Sequence, residues 1–178
     1  EDEAVVRAIP SIGYVHRGLE KLAEKKDYNE MIYVMERVCG ICSFGHGWGY
    51  AGAVEGLMGI QIPDRAECLR IMFHELSRVH SHLLWLGFDS LFMHCWRIRE
   101  KVLDVFEAIT GGRVILSFCK VGGVRKDLTP EMLKLVKDTC DYVEDEMRKT
   151  ALVFMKDSSV RNRLCGTGVL TKEDVIDL

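Results

Sequence analysis

Two cysteines three residues apart and a histidine four beyond stand in the run Arg37-Val38-Cys39-Gly40-Ile41-Cys42-Ser43-Phe44-Gly45-His46. That spacing lets both sulfurs meet one metal, and Gly40 lets the backbone turn between them without crowding. Thiolates are soft donors suited to zinc, iron-sulfur clusters, copper(I) or nickel. The pattern alone leaves several chemistries open. Half of a structural zinc site would need further ligands at comparable spacing, and the chain has no second Cys-x-x-Cys. A thioredoxin-like redox pair belongs in a βαβ setting, which this stretch lacks. Two merely buried thiols are the third plain reading.

The flanking pattern says what must position these groups. Asp27 followed by Glu30 makes a capping box, and Met31, Val34, Met35 and Val38 recur at helical spacing, so a buried helix delivers Cys39. After the cysteines, Gly45, Gly49, Gly52 and Gly56 form a line without side chains along a second helix, where another helix could pack closely. Asp64 with Glu67 caps a long helix whose apolar face is Leu69, Met72, Phe73, Leu76, Val79, Leu83 and Leu86, broken at Gly87. Leu91, Cys95, Ile98, Val102, Val105, Phe106 and Ile109 continue the period until Gly111-Gly112. Residues 113–118 read as a short strand or extended segment ending at the Gly122-Gly123 turn. Thr129-Pro130 starts a third long helix with the stripe Leu133, Val136, Cys140, Val143, Met147, Ala151 and Phe154. Residues 4–20 mix a β-like run with turns. The expected fold is mainly α, a helical bundle in one domain over 1–178, with small β elements near the N-terminus and in the middle.

Composition narrows the classes. A formal charge of −3 over 178 residues, without basic runs, argues against nucleic acid as a partner. No apolar stretch approaches the roughly 20 residues that span a bilayer, and Glu1-Asp2-Glu3 is unlike a secretory signal, which suggests a cytoplasmic setting. Seven irregularly spaced cysteines do not make a disulfide framework. The absence of an initial Met, and a helix opened by Thr171 just before Leu178, suggest a fragment. Gly47-Trp48-Gly49-Tyr50-Ala51-Gly52 matches the dinucleotide fingerprint in form, but no strand precedes it, so nicotinamide binding is rejected. His74, Arg78 and His82 share a helical face on which Arg78 opposes metal binding; core or interface hydrogen bonds are expected for them and for His80 and His94. Cys68, Cys95 and Cys140 are expected as packed thiols, and Cys119 and Cys165 have no assigned role.

The run Arg-x-Cys-Gly-x-Cys-x-x-x-His resembles the N-terminal signature of [NiFe]-hydrogenase large subunits. The segment from Gly13 to Leu22 resembles one shared by energy-converting (group 4) hydrogenases and the 49 kDa-type quinone-site subunit of respiratory complex I. The segments His74 to Gly87, Gly122-Gly123-Val124-Arg125 and Arg161-Asn162-Arg163 extend the resemblance over nearly the whole chain. It implies the fold of that family and a Ni-Fe centre whose iron carries CO and CN, held by four cysteines. Cys39 would be a terminal nickel ligand and Cys42 a bridging thiolate, the other two coming from a second motif absent here. His46 would hydrogen-bond near the bridging sulfur and tune it. Glu20, in Arg17-Gly18-x-Glu20, matches the position of a proton-relaying carboxylate, and Arg17 would line the cavity edge or a subunit contact.

The resemblance also implies partners: a small subunit with a [4Fe-4S] cluster, other soluble subunits, a membrane arm, and ferredoxin as electron partner. The expected function is the catalytic large subunit of a membrane-associated hydrogenase on the cytoplasmic face, with this fragment inactive alone. The rivals are a complex I-like quinone-site homologue without the centre, a class that typically lacks the thiol pair, and a zinc- or cluster-stabilised assembly module.

Overall fold

Apolar residues at helical spacing bury themselves here as a stack of helices around one aromatic hub. The computed structural model describes residues 4–87 and 93–177. Its elements are α1 (Leu19–Ala23), α2 (Tyr28–Met35), α3 (Ser43–Met58), α4 (Asp64–Leu86), α5 (Met93–Thr110), β1 (Cys119–Lys120), β2 (Gly123–Val124), α6 (Pro130–Lys156), α7 (Ser158–Leu164) and α8 (Lys172–Asp177). The fold is mainly helical, with one small antiparallel hairpin that pairs Cys119 with Val124 and Lys120 with Gly123.

The long pair α4 and α5 forms the body, with α6 against α5 and α3 against α4. Phe73 of α4 is the hub: its ring stacks on Phe118 at 4.2 Å, on Phe44 at 6.0 Å and on Phe106 at 6.1 Å. Each such ring buries on the order of 150–250 Å², so this cluster carries much of the hydrophobic stabilisation. The expected face of α5 is borne out from Cys95 to Ile109, all buried; Leu91 lies outside the described residues. Gly87 ends α4 where the helices cross closely, since a Cβ there would fall 1.8 Å from the Trp96 ring. Thr129 caps α6 by accepting the Met132 amide at 3.3 Å, and Thr171 accepts the Asp174 amide at 3.2 Å.

Several expectations need correction. The N-terminal β run does not form: Val5, Val6, Ile9, Ile12 and Val15 are exposed, and a strand without a neighbour has nothing to stabilise it. No capping box opens α4, because Pro63 occupies the cap position and Asp64 is already helical. On α3 the buried line is Phe44, Gly47, Ala51, Val54 and Glu55, whereas Cβ atoms at Gly49, Gly52 and Gly56 would meet nothing within 4 Å. Of the expected glycine line only Gly45 meets a neighbour, the His74 ring of α4, 3.4 Å from where its Cβ would stand. Along α6, Val136, Val143, Met147 and Phe154 of the expected stripe meet the core together with Thr139, whereas Leu133, Cys140 and Ala151 are exposed; Cys68 is exposed too, so of the three expected packed thiols only Cys95 is buried.

Candidate metal centre

The thiol loop is the short link between α2 and α3. Asp27 caps α2 by accepting the Asn29 and Glu30 amides at 2.8 and 2.9 Å, while Met31 and Ile32 anchor the helix to the core. The helix stops at Met35, and two tight turns, from Arg37 N to Val34 O and from Val38 N to Met35 O, carry the chain to Cys39. Val38 is therefore exposed rather than part of a buried stripe. Cys42 is the N-cap residue of α3, and its carbonyl accepts the His46 amide at 3.3 Å, which places the histidine one turn above the cysteine.

One ligand atom from each of Cys39, Cys42 and His46 lies within 4.8 Å of the others, which brings the three sequence-predicted groups together. They form the one such cluster among the described residues, and its Cys42 side is open to solvent. Cys39 Sγ accepts the amides of Ile41 and Cys42, both at 3.4 Å. With the hydrogen bond from the Cys42 side chain, which is the larger effect, they hold the Cys39 thiol below its ordinary value. Partial desolvation, followed by that same interaction, pushes Cys42 up to about 11. The pair thus gives up its two protons in separate steps, and a soft cation would displace the second.

Arg17 and Glu20 occupy different settings. The Arg17 guanidinium donates from Nη2 to the carbonyls of Arg37 at 2.7 Å and Val38 at 3.1 Å, the two residues that lead into Cys39. Glu20 lies on α1 with its side chain 84% exposed, 3.9 Å from His16. The expected core hydrogen bond holds for His80, which meets Ile41 O at 3.0 Å, whereas His82 on Arg78 O and His94 on Glu146, both at 2.8 Å, make exposed ones. His74 differs: its Nδ1 is the one buried side-chain polar atom without a partner among the described residues, and its ring rests edge-on against Trp48.

Three polar supports in the packing around α3 were not singled out from the sequence. Glu36 is 1% exposed and accepts the Ser117 hydroxyl at 2.9 Å; burial pushes its carboxyl above the ordinary range. It packs so tightly under α3 that a Cβ on Gly47 would lie 2.8 Å from its Cγ. Arg70 and Glu55, 1% and 8% exposed, form a two-pronged ion pair at 2.7 and 2.9 Å. Arg70 also donates to the carbonyls of Lys120 and Gly123, and Glu55 accepts the Gly122 amide, so the pair clamps the β1–β2 turn. The third support is Arg99, whose Nε donates to His80 Nδ1 at 3.2 Å. A signal for part of this existed, because Arg70 and His80 fall on the buried line of α4, where a charged or polar residue demands a partner.

The family described as respiratory-chain NADH dehydrogenase, 49 Kd subunit, matches residues 86–178, and that described as nickel-dependent hydrogenase matches residues 17–91. The membrane-bound hydrogenase subunit alpha of Pyrococcus furiosus is 37% identical over 185 residues, covering 100% of this chain and 43% of that protein. Formate hydrogenlyase subunit 5 of Escherichia coli is 37% identical over 97% of this chain and 32% of its own length. An NADH-quinone oxidoreductase subunit of Rhizobium etli is also 37% identical, over 100% of this chain and 46% of its own. The solved structure of the membrane-bound sulfane sulfur reductase, an archaeal respiratory membrane complex, superposes with a TM-score of 0.84 and 31% identity over 90% of this chain and 45% of that one. The chain therefore spans less than half the length of each of these relatives.

Proposed function

Since the chain belongs to the family that unites nickel-dependent hydrogenases with the 49 kDa subunit of respiratory complex I, we propose that it is the N-terminal portion of the catalytic large subunit of a membrane-associated, ferredoxin-linked [NiFe] hydrogenase. The observation that carries this reading is the convergence of Cys39, Cys42 and His46 within 4.8 Å. The two thiols are soft donors that suit nickel and iron, and the imidazole lies close enough to hydrogen-bond beside them. They amount to half of a site, and the remaining cysteines would come from a part of the protein outside this chain.

When bound, the centre would supply the two-electron chemistry that interconverts hydrogen with protons and electrons. Cys39 and Cys42 would hold the centre as thiolates, Cys39 as a terminal ligand and Cys42 as a bridging one. His46, one turn above Cys42, would hydrogen-bond near the shared sulfur and steady its basicity. Arg17 holds the carbonyls of the segment entering Cys39 and so positions that ligand. Glu20, freely hydrated, would pass protons between the ligand side and solvent.

The partners in this reading are a small subunit with a [4Fe-4S] cluster, other soluble subunits and a membrane arm, with the chain peripheral on the cytoplasmic face. In keeping with a peripheral subunit, no helix among the described residues is long and apolar enough to cross a membrane. The relatives named for quinone reduction favour a rival, a quinone-site subunit without metal, and the thiol pair argues against it. The deciding experiment is metal analysis of the native full-length protein with infrared spectroscopy. Nickel and iron with bands from CO and CN support the hydrogenase; stoichiometric zinc without nickel overturns it.

A further inference from the structure

The link between Cys39 and Cys42 is short, solvent-facing and contains a glycine, so something must hold its peptides in one orientation. The hydrogen bond from α4 to this link runs between His80 Nε2 and Ile41 O at 3.0 Å. Arg99 fixes the direction of that bond. A guanidinium has no lone pair to offer, so at 3.2 Å its Nε can only donate to His80 Nδ1. The imidazole proton then sits on Nε2 and points at the Ile41 carbonyl.

Peptide planarity carries the effect onward. The Ile41 carbonyl and the Cys42 amide belong to one planar unit, which is trans because no cis peptide bond occurs among the described residues, so oxygen and hydrogen point in opposite directions. The oxygen is pinned by His80, and the hydrogen is aimed at Cys39 Sγ, 3.4 Å from the Cys42 nitrogen. We propose that His80 and Arg99 are positioning residues that orient the Ile41–Cys42 peptide and thereby hold the two thiols in register for a metal. His80 suits this task because it is 1% exposed, with its ring edge-on to Phe106 at 5.9 Å, so the anchor cannot drift. Burial, with a smaller push from the Arg99 charge, keeps the imidazole below its ordinary pKa and hence in the neutral form that this pattern requires. Doubly protonated, the ring would turn an N–H toward the Arg99 N–H.

The inference rests on the metal-site reading for its purpose, but its test needs no metal. The reduced 178-residue chain is treated with iodoacetamide at fixed pH, and labelling of Cys39 relative to Cys42 is followed by peptide mass spectrometry. The Cys42 amide resonance is recorded in parallel. His80→Leu should slow Cys39 relative to Cys42 about fivefold, the factor carried by one ordinary net hydrogen bond, and should move the Cys42 amide. His80→Gln, whose side-chain amide can still donate to Ile41 O, should restore both. Arg99→Leu leaves the histidine in place, should move the ratio in the same direction, and decides the matter where His80→Leu fails to fold. Val102→Ala loosens the buried face of α5 without removing either hydrogen bond of His80 and should leave the ratio unchanged. An unchanged ratio in both His80→Leu and Arg99→Leu, or an equal change in Val102→Ala, overturns the proposal while leaving the nickel-iron reading intact. Zinc in the native protein would do the reverse.

Discussion

The two ends of α3 are built on opposite principles. At its C-terminal end, Glu55 is sealed against Arg70, with both charges buried and their hydrogen-bonding capacity spent on one another and on the Gly122-Gly123 turn. At its N-terminal end, Cys42 is open to solvent, the Cys39–Cys42 link is held by one hydrogen bond from His80 to the Ile41 carbonyl, and Arg17 holds the Arg37 and Val38 carbonyls just before it. The difference separates stability from chemistry. A ligand set must keep unfilled bonding capacity for what it binds, so its rigidity has to be supplied by neighbours that leave the sulfurs free.

That contrast can be broken most severely at Arg70. Arg70→Leu leaves Glu55 as a buried unpaired carboxylate and should cost about 3–5 kcal/mol in urea unfolding. The double variant Glu55→Met with Arg70→Leu should recover much of the loss; a double variant as unstable as the single would show that the clamp on the turn, not the unpaired charge, dominates. Gly47→Ala should cost about 1–3 kcal/mol by overpacking against Glu36, and a smaller loss would mean that the floor of the thiol end yields more readily than the packing implies.

Glu36 sharpens the contrast through pH. Its folded pKa lies above the ordinary 4.5, chiefly because burial outweighs Ser117, Arg37 and Arg125, so the folded state binds the proton more tightly than the unfolded one. Stability contributed by this group is therefore full below pH 4.5 and declines as pH rises through the raised value. Glu36→Gln should remove that declining slope from urea midpoints measured across a pH series, and an unchanged slope would assign it to another group. The smallest effect is expected at Cys42→Ser, within about 0.5 kcal/mol in stability because the side chain is exposed. The same variant should nonetheless lower nickel(II) binding, monitored as thiolate-to-metal absorption. A large stability loss with metal binding intact would invert the division of labour along α3.

Much of the architecture was legible because long helices announce themselves through period and punctuation. The α4 and α5 faces, the stop at Gly111, the Thr129 cap and the turn at Gly122 all rest on interactions within a few residues. The misreadings share another cause. The Gly45-Gly49-Gly52-Gly56 line and the packed Cys140 depend on which neighbour lies opposite, and local spacing does not contain that information. Likewise, Val5 to Val15 have the composition of a strand but no strand beside them among the described residues.

What the sequence by itself determined is the candidate cluster, since Cys39, Cys42 and His46 lie close along the chain and one turn plus one helix start suffice to gather them. Only the tertiary structure decided how that set is supported. His80 is 39 residues from Ile41, Ser117 is 81 from Glu36 and Arg70 is 53 from Gly123. Contacts over such separations exist only after α3, α4 and α5 have packed, because each is made by closing a long loop whose entropy cost is repaid by burial elsewhere in the core.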